Sequence, residues 1–312
     1  MRTGKIILPG GAGLVGQNLV IRLKALGFLN LVVIDKHRQN LATLAAMHPD
    51  ITTECADLAE AGSWTRHFDD ADVVVMLQAQ IGGNDYRDFK RNNLDASRNI
   101  LNCIKKRPST YLVHISSSVV ESVADDFYTN SKKDQEQMVL ESGIECPILR
   151  PTLMFGWFDR KHLGWLARFM QKVPVFPIPG KGNYMRQPLY VGDFCNVVVS
   201  CIESRKASGI FNISGHEQID YIDIIRQIKV ATASRTPIVR IPYSIFYALI
   251  WVWGKFDSTP PFTTQQLKAL IAEDEFEVID WPGMFGVPLT PFSKAVAETF
   301  NDPRYGKVTL EF

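Results

Sequence analysis

Residues 9–16 read PGGAGLVG, and this octapeptide constrains the chain more than any other stretch of it. It follows a short apolar strand, Lys5–Pro9, and opens an amphipathic segment, Leu14–Leu26. Gly10, Gly13 and Gly16 stand three apart. A strand that turns straight into a helix under a ligand needs a tight turn, then a point of close backbone approach, then close helix–sheet packing, and glycine serves each. The first helical turn presents unpaired N–H groups and partial positive charge, which suit a pyrophosphate. The expected dinucleotide contacts are therefore Gly10, Gly13, Leu14, Val15 and Gly16. The next strand, Leu31–Asp35 (LVVID), ends in an acid. A carboxylate there accepts hydrogen bonds from the adenosine ribose and repels a 2′-phosphate, so NAD is expected rather than NADP. Lys36, His37 and Arg38 follow and read as a solvated loop.

The alternation continues. Asp72–Leu77 is a third apolar run. Asn93–Lys105 has helical spacing, with Leu94, Ile100, Leu101 and Ile104 on one side. Tyr111–Ile115 (YLVHI) is another strand and ends in Ser116, Ser117 and Ser118. Strands rich in Val and Ile that alternate with helices indicate a parallel sheet covered on both faces. The expected fold is a Rossmann-type doubly wound α/β sheet. From about Arg150 the texture changes, with Pro174, Pro177, Pro179, Gly180 and Gly182 close together. Short helices are expected near Val191–Glu203 and Tyr221–Lys229, from Thr263 or Thr264 through Ala272, and over Phe292–Phe300 with Pro291 at the first position. Residues 1–150 are thus expected to form the NAD-binding domain, with later strands returning to it. Residues 151–312 are expected to form mainly a smaller substrate-binding region.

Composition excludes several functions. The 34 basic and 33 acidic side chains leave a net charge of +1, whereas a nucleic-acid surface usually needs a basic excess. The five cysteines are scattered without a CxxC pair and the histidines show no HExxH spacing. Neither a disulfide framework nor a metal site is expected. Nothing at the N-terminus resembles a signal peptide, so a reducing cytoplasm is the expected location. The longest apolar run, Ile245–Trp253 (IFYALIWVW), is shorter than the ~20 residues a spanning helix needs. It reads as a buried or dimer-facing helix, or else as an aromatic helix lying on a membrane surface with Lys255 just beyond it.

Residues 128–132 read YTNSK, a Tyr-x-x-x-Lys after the serine run and at the opening of a helical stretch, Asn130–Leu140. On a helix, i and i+4 side chains share a face. The Lys132 ammonium and a bound NAD⁺ are then expected to lower the Tyr128 phenol, making it a general base near neutral pH. A serine hydroxyl beside it would hydrogen-bond the reacting oxygen.

With these motifs the chain resembles, over most of its length, the extended short-chain dehydrogenases/reductases of the NAD-dependent epimerase/dehydratase family. PGGAGLVG resembles that family's TGGAGFIG. ADL at residues 56–58 is similar to its adenine-contacting motif, which implies cofactor contacts for Asp57 and Leu58. Asn93 begins a segment resembling NxxGTxNLL and is implied as a further cofactor contact. LRPTLMFG at residues 149–156 resembles LRPxxVYG. RQPLYVGD at residues 186–193 resembles RDxxHVxD, which implies that Arg186 meets the diphosphate of a nucleotide sugar. The resemblance implies Ser117, Tyr128 and Lys132 as catalytic residues, with Tyr128 and Lys132 also on the cofactor and Ser117 and Ser118 also on the substrate. It further implies a homodimer through the helices at residues 93–105 and 130–140.

The departures narrow the chemistry. Glu121 stands where the family's SSxxVYG has its tyrosine. Gapless register makes Ser117 the catalytic serine, and a shift of one makes it Ser118. Gln78 interrupts the family's HLAA. Ser118 and Val119 occupy the places of the Asp-Glu pair that 4,6-dehydratases carry, which disfavours dehydration. Epimerisation, or oxidation and reduction, at a sugar carbinol remains. Two alternatives share the pattern: a sterol-type dehydrogenase, and a non-catalytic scaffold or sensor resembling an accessory subunit of respiratory complex I.

Overall fold

The computed structural model describes residues 3–311 except 207, 257–263, 265–266, 268–269 and 271–276. Its centre is a seven-stranded sheet of β1 (Ile6–Pro9), β2 (Leu31–Asp35), β3 (Thr52–Cys55), β4 (Val73–Met76), β5 (Tyr111–Ile115), β6 (Pro147–Pro151) and β7 (Gly209–Ile213). Their spatial order is β7-β6-β5-β4-β1-β2-β3, and every pairing is parallel. The doubly wound α/β fold expected from the alternation is the one formed.

The inner strands β1, β2 and β4 are apolar and buried because both faces are covered, whereas the edge strand β3 (TTEC) is polar and partly exposed. Successive side chains point opposite ways. Ile6, Leu8, Val33, Val73 and Val75 pack on one side with Leu19, Val20 and Leu23 of α1 (Leu14–Ala25). Ile7, Val32, Ile34, Val74 and Met76 pack on the other with Ile100, Leu101 and Ile104. Those three belong to a helical run at residues 86–105 (α3, after α2 at Arg38–Met47), whose middle piece, Lys90–Asp95, is a π-helical turn. Val139 on α4 (Phe127–Glu141) completes that second face.

The sheet order reverses between β1 and β4, which are neighbours. Chain leaving their carboxyl ends diverges, and the crevice this opens is where open α/β sheets bind ligands. Gly10 follows β1 and Leu77–Gln78 follows β4 at that point.

Beyond β6 the chain builds smaller pieces. Met154–Phe155 pairs with Leu189–Tyr190, Met185–Arg186 with Ile219–Asp220, and Phe176–Pro179 with Ile238–Ile241. Between them run α5 (Leu163–Lys172), α6 (Val191–Ser204), α7 (Tyr221–Ala231) and α8 (Tyr243–Phe256), and later α9 (Trp281–Phe285) and α10 (Phe292–Asn301). Pro291 caps α10 rather than opening it. The helix expected from Thr263 or Thr264 to Ala272 lies largely outside the described residues. The apolar run Ile245–Trp253 is helical as expected, yet no residue of α8 is buried, which overturns the reading of it as a buried helix.

Candidate active site

The glycine turn is built by steric necessity. Gly10 has φ +75°, and a Cβ there would stand 2.4 Å from the Gln78 backbone. A Cβ on Gly16 would stand 2.2 Å from the Gly11 carbonyl oxygen, so α1 can seat only on a glycine. A Cβ on Gly13 would meet nothing nearer than the Gly10 carbonyl oxygen at 3.9 Å, because that side opens into a cavity of about 560 Å³. Gly10, Gly13, Leu14, Val15 and Gly16 all line this cavity, as do Asp35, Asp57 and Leu58. Asp35 is buried, and its carboxylate accepts from Ala12 N at 3.1 Å and His37 N at 3.0 Å, tying the end of β2 to the glycine turn. The carboxylate has further acceptor capacity for ribose hydroxyls. Asp57 accepts from Arg91 Nε at 3.2 Å and Ala59 N at 2.9 Å.

At the far end of the same cavity stand Ser117, Ser118, Tyr128 and Lys132. Ser117 caps the short 3₁₀ turn Ser118–Glu121, its hydroxyl accepting from Val119 N at 3.4 Å, and the same hydroxyl draws the Tyr128 phenol downward. Asp126 caps α4, accepting from Thr129 N at 2.9 Å, and so sets the phase that brings Tyr128 and Lys132 to the cavity.

The electrostatics differ from expectation. Burial raises the Tyr128 phenol, the Ser117 hydroxyl opposes this, and the net direction is up. The expected lowering by Lys132 is absent, because the Lys132 ammonium points elsewhere. It donates to the Ile115 carbonyl oxygen at 3.1 Å and to Gln135 Oε1. Lys132 itself is 1% exposed, and burial lowers it to about 7, against an opposing pull from Glu136. Glu136 is clamped by Ser116 Oγ and by Arg150, whose Nη1 also donates to Glu121 Oε1 at 2.8 Å.

Two expected site residues lie away from the cavity wall. Asn93 is fully buried behind it and accepts from Gln80 N at 2.6 Å while donating to Ser131 Oγ at 2.9 Å. Its amide matches a backbone edge, so it shapes the loop after β4 instead of touching the cavity. Arg186 lies in the pairing with Ile219–Asp220, and its guanidinium donates to the carbonyl oxygens of Met185 and Leu270. Arg186 is not among the residues that line the cavity.

Other wall residues had no local signal. Lys36 and His37, read as solvated loop, line the mouth. Asn40 exchanges two hydrogen bonds with the Glu311 backbone, at 2.7 and 2.9 Å, which draws Leu310 and Glu311 over the Asp35 end. The segment Asp159–His162 forms another wall. Asp159 accepts from Lys161 N, His162 N and Gly164 N, each at 2.9 Å, in the loop that leads into α5, and so fixes Arg160 and Lys161 at the cavity. Burial lowers both Lys161 and His162. Gln78 Oε1 and Thr152 Oγ1 are buried at the wall with no partner among the described residues. Polar atoms left this way in a lined cavity fit a polar ligand. The open side of Gly13, the α1 N-terminus and Asp35 fit a dinucleotide in particular.

Fold and site together define a dinucleotide-binding α/β protein with a Ser/Tyr/Lys set beside the cofactor cavity. Residues 6–214 match the model of the NAD dependent epimerase/dehydratase family, and the chain belongs to that family. Its cofactor is NAD. The chain is 24% identical over 243 residues to the mitochondrial NADH dehydrogenase [ubiquinone] 1 alpha subcomplex subunit 9 of Dictyostelium discoideum, a match covering 75% of this chain and 65% of that one. It is 22% identical over 137 residues to a UDP-glucose 4-epimerase of Vibrio cholerae, covering 43% and 42%. It therefore spans less than two thirds of either relative. Among solved structures, a UDP-glucuronic acid 4-epimerase of Bacillus cereus in complex with NAD superposes with a TM-score of 0.66 at 21% identity, covering 86% of this chain and 100% of that one.

Proposed function

We propose that the chain is an NAD-dependent epimerase or dehydrogenase/reductase that acts on a sugar carbinol, in a nucleotide sugar, with Tyr128 moving the hydroxyl proton. The observation that carries this reading is a single cavity with the glycine turn and Asp35 at one end and Ser117, Tyr128 and Lys132 at the other. When bound, NAD supplies the acceptor and donor of hydride. Gly10, Gly13, Gly16 and the α1 N-terminus hold its pyrophosphate, and Asp35 its adenosine ribose. Tyr128 Oη, as phenolate once the positive charge of bound NAD⁺ beside it offsets the rise that burial causes, takes the proton of the substrate hydroxyl, and Ser117 Oγ supports the same oxygen. Lys132 Nζ anchors α4 to β5 through the Ile115 carbonyl oxygen. Arg160 and Lys161, on the cavity wall, take over the diphosphate contact that the resemblance assigned to Arg186.

Dehydration is disfavoured in this reading. Ser118 and Val119 offer no acid at the cavity, and the Glu121 and Glu136 carboxylates are occupied by Arg150 and lie off its wall. The proposal includes residues 151–312 as mainly the substrate region, a homodimer through α3 and α4, and a cytoplasmic location. All five cysteines are free thiols, in keeping with that location.

Tyr128→Phe tests the chemistry: turnover of UDP-, GDP- or dTDP-sugars is abolished while NAD binding stays close to wild type. Full activity in that variant overturns the assignment. A second reading, a non-catalytic scaffold, draws on the likeness to the Dictyostelium subunit. It takes over if no nucleotide sugar is turned over or raises Tm.

A further inference from the structure

Helix α8 turns its apolar side outward. Ile245, Leu249, Val252 and Phe256 recur at i, i+4, i+7 and i+11, which is one stripe of a helix. They are 53%, 57%, 47% and 88% exposed. Trp251 and Trp253 flank the stripe, both more than half exposed, and the Lys255 ammonium lies 4.9 Å from the Trp251 ring centre. The opposite side, with Tyr243, Phe246, Tyr247 and Ile250, is the half-buried one. A contiguous apolar stripe of this size implies something that covers it.

The charge around the helix identifies the occupant. The helix and the segments beside it, residues 172–181 and 235–256, hold Lys172, Lys181, Arg235, Arg240 and Lys255 and no acidic side chain. The fold brings these two segments together by pairing Phe176–Pro179 with Ile238–Ile241. Gly180 N donates to the Ile241 carbonyl oxygen at 2.7 Å, which sets exposed Lys181 beside the start of α8 near exposed Arg240. Thr236 Oγ1 donates to the Met170 carbonyl oxygen at 2.8 Å, which does the same for exposed Lys172 and Arg235. A second copy is a poor occupant, because a two-fold contact sets a patch against itself and would oppose like charges. A flat anionic lipid surface complements both the cations and the apolar stripe. Tryptophans and a terminal lysine are the side chains that settle at the headgroup boundary. At ~1.5 Å per residue, fourteen residues reach about 21 Å, so the helix lies on a bilayer and does not cross its ~30 Å core.

We propose that α8 and the cations beside it dock this protein on an anionic phospholipid membrane. The test is flotation of the full chain, loaded with NAD, with vesicles of phosphatidylcholine alone or mixed with phosphatidylglycerol. The wild type floats with the anionic vesicles, and added salt weakens this. Leu249→Glu with Val252→Glu abolishes flotation and leaves NAD binding unchanged. Arg235→Gln and Arg240→Gln each lower partitioning about fivefold, the worth of one cation at an anionic surface. Failure of the wild type to prefer anionic vesicles overturns the proposal, as does equal flotation of the glutamate variant. A wild-type dimer that Leu249→Glu with Val252→Glu dissociates, without vesicle binding, overturns it in favour of a second copy. None of these readouts depends on which sugar is turned over.

Discussion

Lys132→Met offers a quantitative test of the site's electrostatics. Lys132 is buried, and its ammonium is lowered from an unfolded value of 10.5 to about 7. Below pH 7 both states carry the proton, and the folded state bears the whole cost of the buried charge, on the order of 5 kcal/mol at ~1.4 kcal/mol per unit. Between about 7 and 10.5 the unfolded chain binds the proton and the folded chain does not, so stability rises with pH. Above 10.5 both are neutral and the penalty is gone. From pH 7 to pH 9 this one group stabilises the wild type by about 2 kcal/mol. The methionine variant has no such group. The difference in unfolding free energy between variant and wild type, from urea titrations at the two pH values, should therefore move in favour of the wild type by about 2 kcal/mol. In thermal melts the same difference is roughly 4 °C for a chain of this size. Groups that titrate alike in both proteins cancel in the double difference. If the two stability curves run parallel from pH 7 to pH 9, the lysine does not titrate in that window and the reasoning fails.

Three further outcomes follow from the cavity wall. Gly13→Ala keeps its thermal stability within about 1 kcal/mol, since its Cβ meets only an ordinary contact at 3.9 Å, but it loses NAD binding by calorimetry. Gly16→Ala, which drives a Cβ to 2.2 Å from the Gly11 carbonyl oxygen, loses about 1–3 kcal/mol of stability together with the cofactor. Asn40→Ala removes both hydrogen bonds to the Glu311 backbone, costs about 1–3 kcal/mol in urea unfolding and weakens NAD binding. Unchanged affinity there would mean that the C-terminal segment does not help close the cavity.

The parts of this protein that were legible in the sequence are those whose physics is local. The glycine turn, Asp35 at the end of β2, and the four-residue step from Tyr128 to Lys132 each lie within one strand–helix unit, where spacing fixes geometry. Asn93 had the right element and the wrong side, because whether a helical amide faces a cavity depends on the loop packed behind it, here Gln80. The closure by Leu310 and Glu311 depends on Asn40, which is 271 residues away from Glu311, and no pattern reports such a pairing. The outward face of α8 was invisible for a related reason: periodicity gives a stripe, and only tertiary structure says whether it points in or out.

Gln78 and Lys132 show most directly how a departure in sequence becomes chemistry. Gln78 stood out only as an amide where the family has a small apolar residue. In the fold its Nε2 lies 3.0 Å from Ser97 Oγ, the same hydroxyl that receives Gln135 Nε2 at 2.8 Å, while Gln135 Oε1 accepts from the Lys132 ammonium. Two amides and one serine thus join the cavity wall after β4 to the buried lysine on α4. The Ser97 hydroxyl spends its own proton on the Asn93 carbonyl oxygen at 2.6 Å, so both amides must present N–H to it. That requirement turns the Gln135 oxygen toward the lysine, and the ammonium is held on Gln135 and Ile115 instead of being aimed at the phenol. Burial sets the upward direction of the Tyr128 shift, and what Ser97 and Gln78 fix is the placement of the lysine, from positions outside the Tyr-x-x-x-Lys spacing.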